Sequence, residues 1–91
     1  MSKLVYKTFY VVSLDFEGGG ADAICYTKAH ADAKGNDYLK ECRLRQIKGC
    51  VTKRKVSVND ITDLTEQDFF DGVIDTTNET IIEKITIEFN N

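Results

Sequence analysis

The 91-residue sequence has no proline and no tryptophan, and only one histidine and one methionine. No apolar run approaches the roughly 18 residues a membrane-spanning helix needs. Residues 1–4 lead straight into a strand-like pattern, so no signal peptide is expected, and the chain is read as cytoplasmic. A single histidine leaves little for nucleophilic catalysis, which needs an activated Cys or Ser beside an oriented base. His30 sits among alanines at the start of a helical segment, five residues after Cys25, with no orienting pair nearby; it reads as an exposed helical histidine. The three cysteines, Cys25, Cys42 and Cys50, are spaced by 17 and 8 positions. Zinc ligands come in tight pairs, typically Cys-x₂₋₄-Cys or His-x₃₋₅-His, so no zinc site is expected. An odd cysteine count without an export signal also argues against a disulfide framework, and all three read as small buried apolar residues.

Other chemistry is missing its spacing as well. Gly18-Gly19-Gly20 lacks the spaced glycines or Lys-Ser/Thr of a phosphate-cradling loop and reads as a hairpin turn. Asp60, Asp63, Glu66, Asp68, Asp71 and Asp75 do not follow the calcium-loop pattern. No catalytic residue, cofactor or metal is therefore expected, and the chain reads as a non-enzyme.

Hydrophobic residues make up 42% and charged residues 30%, too apolar a balance for intrinsic disorder. A second core would leave about 45 residues for each unit, near the lower limit for independent folding, so one domain over 1–91 is expected. The formal net charge is -3, which alone predicts no strong pull toward nucleic acid or anionic lipid. The distribution is uneven. Residues 1–39 set four lysines against five acids, residues 40–58 set seven bases against Glu41, and residues 59–91 set nine acids against Lys84. Either the middle segment forms a basic face or the acidic third neutralises it in the fold.

The order of elements is legible from periodicity. Leu4–Phe16 alternates with apolar residues on both faces: Leu4, Tyr6, Tyr10, Val12, Leu14 and Phe16 on one, Val5, Phe9 and Val11 on the other, which predicts a central strand. Glu17–Gly20 is the turn and Ala21–Tyr26 the return strand. Thr27 caps a helix over roughly 28–46, with Ala31, Gly35, Tyr38 or Leu39, Cys42 and Gln46 along one side. Gly35 costs up to about 1 kcal/mol there. Either the helix passes close to the sheet at Gly35 or Gly35-Asn36 breaks it; one continuous helix is expected, with Gly49 a plausible terminator near its end.

Cys50–Val58 is a third strand, whose lysines (Lys53, Lys55) share a face expected to be wet. Thr65-Glu66-Gln67-Asp68 resembles a capping box for a short helix with Phe69 and Phe70, ending at Gly72. Val73-Ile74 reads as a brief strand, and 76–80 as a turn-rich link. Ile81–Phe89 closes the chain, with Ile81, Ile85, Ile87 and Phe89 inward. The sum is an α+β domain, β-β-α-β-α-β: one antiparallel sheet of about four strands, with a main and a short helix on one face.

Two kinds of surface emerge. Arg43, Arg45, Lys53, Arg54 and Lys55, with Lys48, fall on a helix end and the adjoining strand, as phosphate contacts require. No aromatic lies between Tyr38 and Phe69, so the stacking residues of single-strand binders are missing. Tyr6, Phe9 and Tyr10 are candidate anchors for a protein partner, with core filling as the alternative. An exposed sheet edge is also open to pairing with a second copy.

The segment Tyr26-Thr-Lys-Ala-His-Ala-Asp-Ala-Lys-Gly-Asn-Asp-Tyr-Leu-Lys40, followed by Val51-Thr-Lys-Arg-Lys-Val56, resembles small uncharacterised bacteriophage and prophage accessory proteins. These pair a strand ending in Thr/Ser-Lys-Ala with an alanine-rich helix and a basic strand. The match spans about a third of the chain, and Gly35 departs from it. The resemblance implies an accessory factor that binds and modulates host machinery, including defence systems, and it carries over no catalytic residue. The leading expectation is thus a module that binds a host protein, with nucleic-acid binding through the 43–55 segment as the alternative.

Overall fold

Alternation with apolar groups on both faces places residues 8–16 at the centre of a sheet. In a computed structural model, which describes residues 8–57, 66–71 and 79–88, the order is β1 (Thr8–Phe16), β2 (Gly19–Cys25), α1 (Lys28–Arg45), β3 (Gly49–Ser57), α2 (Glu66–Phe70) and β4 (Glu79–Ile87). The four strands form one antiparallel sheet in the order β2-β1-β3-β4. The expected α+β architecture is therefore what the chain adopts. Leu4–Lys7 with Tyr6, Val58, the capping residue Thr65, Gly72, Val73-Ile74 and Phe89 lie outside the described residues.

The β1–β2 hairpin is tighter than Glu17–Gly20. Phe16 already pairs with Gly19, so Glu17 and Gly18 alone form the loop, and Gly18 takes the left-handed conformation (φ 92°) that glycine adopts without steric cost. At the start of α1 the Thr27 side chain accepts from the His30 backbone N–H at 3.1 Å. The helix then runs unbroken through Gly35 to Arg45. It ends where the 28–46 reading puts it, but the terminator is Gln46 and not Gly49. Gln46 is left-handed (φ 55°), its N–H donates to Arg43 O and that of Ile47 to Cys42 O, a Schellman-type closure. Gly49 instead opens β3.

The core lies between α1 and one sheet face. Val12, Leu14, Cys25, Ala31, Tyr38, Leu39, Cys42 and Val51 are buried together, with Tyr10, Phe16, Ile85 and Ile87 packed against them. The other face is not left to solvent. Phe9 and Val56, which pair across β1 and β3, and Val11 are all 0% exposed, so β1 buries both sides as a central strand should. Helix α2 does not share the α1 layer's contacts; Tyr26 Oη donates to Glu66 Oε1 at 2.5 Å and ties α2 to the end of β2.

Two facial assignments come out differently from the sequence reading. The Val51–Lys53–Lys55 side of β3 faces α1 and is wet only at its Lys55 end: Leu14 pairs with Val51 and Val12 with Lys53, so Lys53 is buried on the core side while Lys55 is exposed. Ile81 is not inward but 61% exposed. Glu83 pairs with Lys53 while Ile81 pairs with Arg54, so Ile82 is an extra residue, and this β-bulge moves Ile81 to the face opposite Ile85 and Ile87.

Because a non-glycine residue in the left-handed region costs roughly 1–2 kcal/mol, Gln46→Gly is expected to raise stability by about 0.5–1 kcal/mol, net of the added freedom of the unfolded chain. A rise in the urea midpoint at unchanged m-value checks it.

Candidate binding surface

Consecutive residues of a strand point to opposite faces. The basic run Lys53-Arg54-Lys55 is therefore split by the sheet itself, and each residue has a different fate.

Lys53 runs under α1 at Gly35. An added Cβ on Gly35 would stand 2.5 Å from Lys53 Cε, which explains a glycine in mid-helix. Only 5% exposed, Lys53 reaches Glu83 Oε1 at 2.7 Å and Asp32 Oδ1 at 3.2 Å, joining β3 to β4 and to α1. Desolvation works against its charge, but the hydrogen bonds to Glu83 and then Asp32 outweigh this and hold the ammonium above its ordinary pKa. Asp32 is held below the usual carboxylate range by its hydrogen bonds to Lys28 and Lys53.

Arg54 lies on the opposite face. Its Nη2 donates to Ser13 Oγ at 2.9 Å, Ser13 donates to Asp22 Oδ1 at 2.5 Å, and Nη1 meets Glu79 Oε1 at 3.4 Å. Its Nε is buried without a hydrogen-bond partner among the described residues. These groups floor a cleft of about 290 Å³ lined by Ser13, Asp15, Asp22, Thr52, Arg54 and Ile81. Ser13 has a carboxylate beside it and no imidazole. His30 is exposed at the start of α1, and its backbone N–H donates to the capping Thr27 hydroxyl. The arrangement is a charge-compensated chain of hydrogen bonds that holds β1, β2, β3 and β4 in register.

Lys55 is exposed on the α1 side of the sheet, opposite the half-buried Tyr10, which packs on the core rather than offering a free ring. Tyr6 lies outside the described residues. Cys25 and Cys42 are buried and Cys50 is half-buried, all three as free thiols, and burial pushes the Cys25 thiol up. Among the described residues no group of three or more His, Cys, Asp or Glu is placed to hold a metal ion.

Of the basic candidates, Arg43 and Arg45 are both exposed in the last turn of α1, about 200° apart around its axis, where cations also favour the helix dipole. Arg45 Nε pairs with Glu41 at 3.5 Å, one turn back. Between them Leu44 is 75% exposed, and Lys40 lies one turn before it on the same side. Leu44 was missed as a candidate, although its position is readable from the sequence. Two residues past Cys42, it falls about 200° around the helix from the buried stripe.

No protein-family model, curated protein or solved structure matches the chain. No described helix is long and apolar enough to cross a membrane. What the fold and surface define is a small α+β domain in which two strand cations, Lys53 and Arg54, are paired inside the fold, while Lys55 and the cations at the end of α1 are exposed.

Three outcomes follow. Gly35→Ala should destabilise the wild type by displacing Lys53, yet stabilise a Lys53→Ala background by up to about 1 kcal/mol through helix propensity; a four-variant denaturation cycle reads the change of sign. For pH, Lys53 has a raised folded pKa, so its contribution is present through neutral pH and lost as pH rises past the lysine range. Asp32, depressed, loses its contribution as pH falls through the carboxylate range. Lys53→Met should remove the alkaline limb of a stability–pH profile and only reduce the acid limb, since Lys28 still holds Asp32 down. Ser13→Ala, which removes Arg54's acceptor and Asp22's donor, should cost about 1–3 kcal/mol, whereas Leu44→Ala should stay within about 0.5 kcal/mol, both by urea titration.

Proposed function

We propose that this chain is a non-enzymatic binding module, phage-encoded and cytoplasmic, that modulates a host protein by occupying part of its surface through the outer side of α1. Leu44 carries the reading. A leucine three-quarters exposed in the last turn of a helix adds little to its own fold, and here it is bordered by Lys40, Arg43 and Arg45. An apolar knob inside a cationic rim fits a partner with an apolar pocket edged by carboxylates, where the knob supplies affinity and the rim steers approach. The internal pairing of Lys53 and Arg54 supports this choice, since it leaves Lys55 as the one exposed cation of the basic strand β3. The accessory role against host machinery rests on the resemblance of residues 26–56 to phage proteins.

A second reading, nucleic-acid binding, is favoured only by the exposure of Arg43, Arg45, Lys40 and Lys48. Its other three candidates, Lys53, Arg54 and Lys55, are divided between two faces.

The test is a pull-down from bacterial host lysate with wild type, Leu44→Asp and Arg43→Glu/Arg45→Glu. A protein retained by the wild type and lost with Leu44→Asp is expected. Retention of nothing specific, or of the same protein by Leu44→Asp, overturns the reading. In parallel, duplex DNA binding with a log–log salt slope near -0.9 per contact, abolished by Arg43→Glu/Arg45→Glu and indifferent to Leu44, would select the second.

A further inference from the structure

Strand β4 is an edge of the sheet, and its outer side has no strand partner among the described residues. Edge strands are open to pairing unless they are blunted, and bulges are one way of blunting them. The bulge at Ile82 does this for the first half of β4, leaving 83–87 as its regular stretch, with Glu88 the residue just beyond it.

The charges along this strand divide into two kinds. Glu79 is engaged by Arg54 and Glu83 by Lys53. Lys84 and Glu88 are exposed and have no ion-pair partner among the described residues. They lie four residues apart; alternation puts Lys84 and Thr86 on the face opposite α1, and Glu88, next after Ile87, joins them when pairing extends the strand by one residue. Ile85 and Ile87 alternate with them on the α1 face, half-buried against the core.

We infer that β4 pairs with β4 of a second copy of this chain, antiparallel about a two-fold axis at Thr86. In that register Lys84 stands opposite Glu88 of the other copy and Glu88 opposite its Lys84. Ile85 meets Ile87 twice on the α1 face, and Thr86 meets Thr86 at the axis. Opposite charges, β-branched pairs and Thr–Thr are the favourable cross-strand combinations.

Neighbouring registers within the regular stretch lose this match. Centring on Lys84 sets lysine against lysine, and centring on Ile85 sets Lys84 against Thr86. A same-face pairing also makes one eight-stranded sheet with both α1 helices on one side, and an isologous contact of this kind closes without propagating. With five residues per strand the contact is small, of the weak, concentration-dependent class. The inference is independent of the host-partner reading, because the outer side of α1 contributes nothing to the β4 edge.

The experiment is sedimentation velocity of the purified chain over a concentration series into the millimolar range, on wild type, Lys84→Glu, Glu88→Lys and the double swap. The wild type should shift from monomer toward twice the monomer mass, and each single reversal should remain monomeric. An equimolar mixture of the two singles, and the double swap alone, should recover the dimer. Far-ultraviolet circular dichroism confirms that the singles fold. A wild type that stays monomeric throughout, a dimer indifferent to the single reversals, or singles that do not recover on mixing overturns the inference. A host-protein pull-down that fails while the dimer persists leaves this assignment standing, and the converse result leaves the α1 reading standing.

Discussion

The ammonium of Lys53, enclosed beneath the one helical position without a side chain, is the constraint around which the rest of the molecule is arranged. It is fixed by Glu83 from the neighbouring strand and Asp32 from the helix above, so a single cation joins three elements separated in sequence. A charge in that position without its carboxylates would be costly to desolvate. Both acids are themselves partly in water, so the network has hydrated outer ends and a dry centre. Gly35 is the complementary half of the same device: helix propensity is given up so that the helix can pass over a lysine stem.

The face beyond the sheet uses the opposite strategy. Phe9, Val11 and Val56 are closed off from solvent at one end, while Ser13, Asp22, Arg54 and Glu79 take over toward the other. Arginine suits this role because its planar donors reach a hydroxyl and a carboxylate at once. Together the two networks meet two of the seven bases in residues 40–58, Lys53 and Arg54, with acids from α1, β2 and β4. The other five, Lys40, Arg43, Arg45, Lys48 and Lys55, are exposed.

Much of this was legible from residue order. Period-two alternation located β1, β2, β3 and β4, and Thr27 fixed the start of α1 through its cap. The boundaries that moved did so for local reasons. Gln46 adopts a left-handed cap that composition alone would assign to glycine, and Gly19 and Gly20 belong to a strand because the turn needs only two residues. Alternation divides a strand into two sets without saying which set meets the core, so the Lys53 side was assigned to water until pairing with Val12 and Leu14 placed it under α1. The supposed basic patch failed on geometry that the sequence did contain, since Lys53 and Arg54 are adjacent in a strand and cannot share a face. Leu44 was equally readable, as a leucine turned away from the buried stripe.

The inserted residue in the last strand carries a further meaning. Its two halves obey opposite inside–outside phases because Ile82 has no partner on β3. Deleting Ile82 would leave Glu83 opposite Lys53 and Ile81 opposite Arg54, so both ion pairs would keep their register while the edge lost its bulge. The extra residue is thus separable from the two charge networks on either side of it, and what it shapes is the outer edge of the sheet.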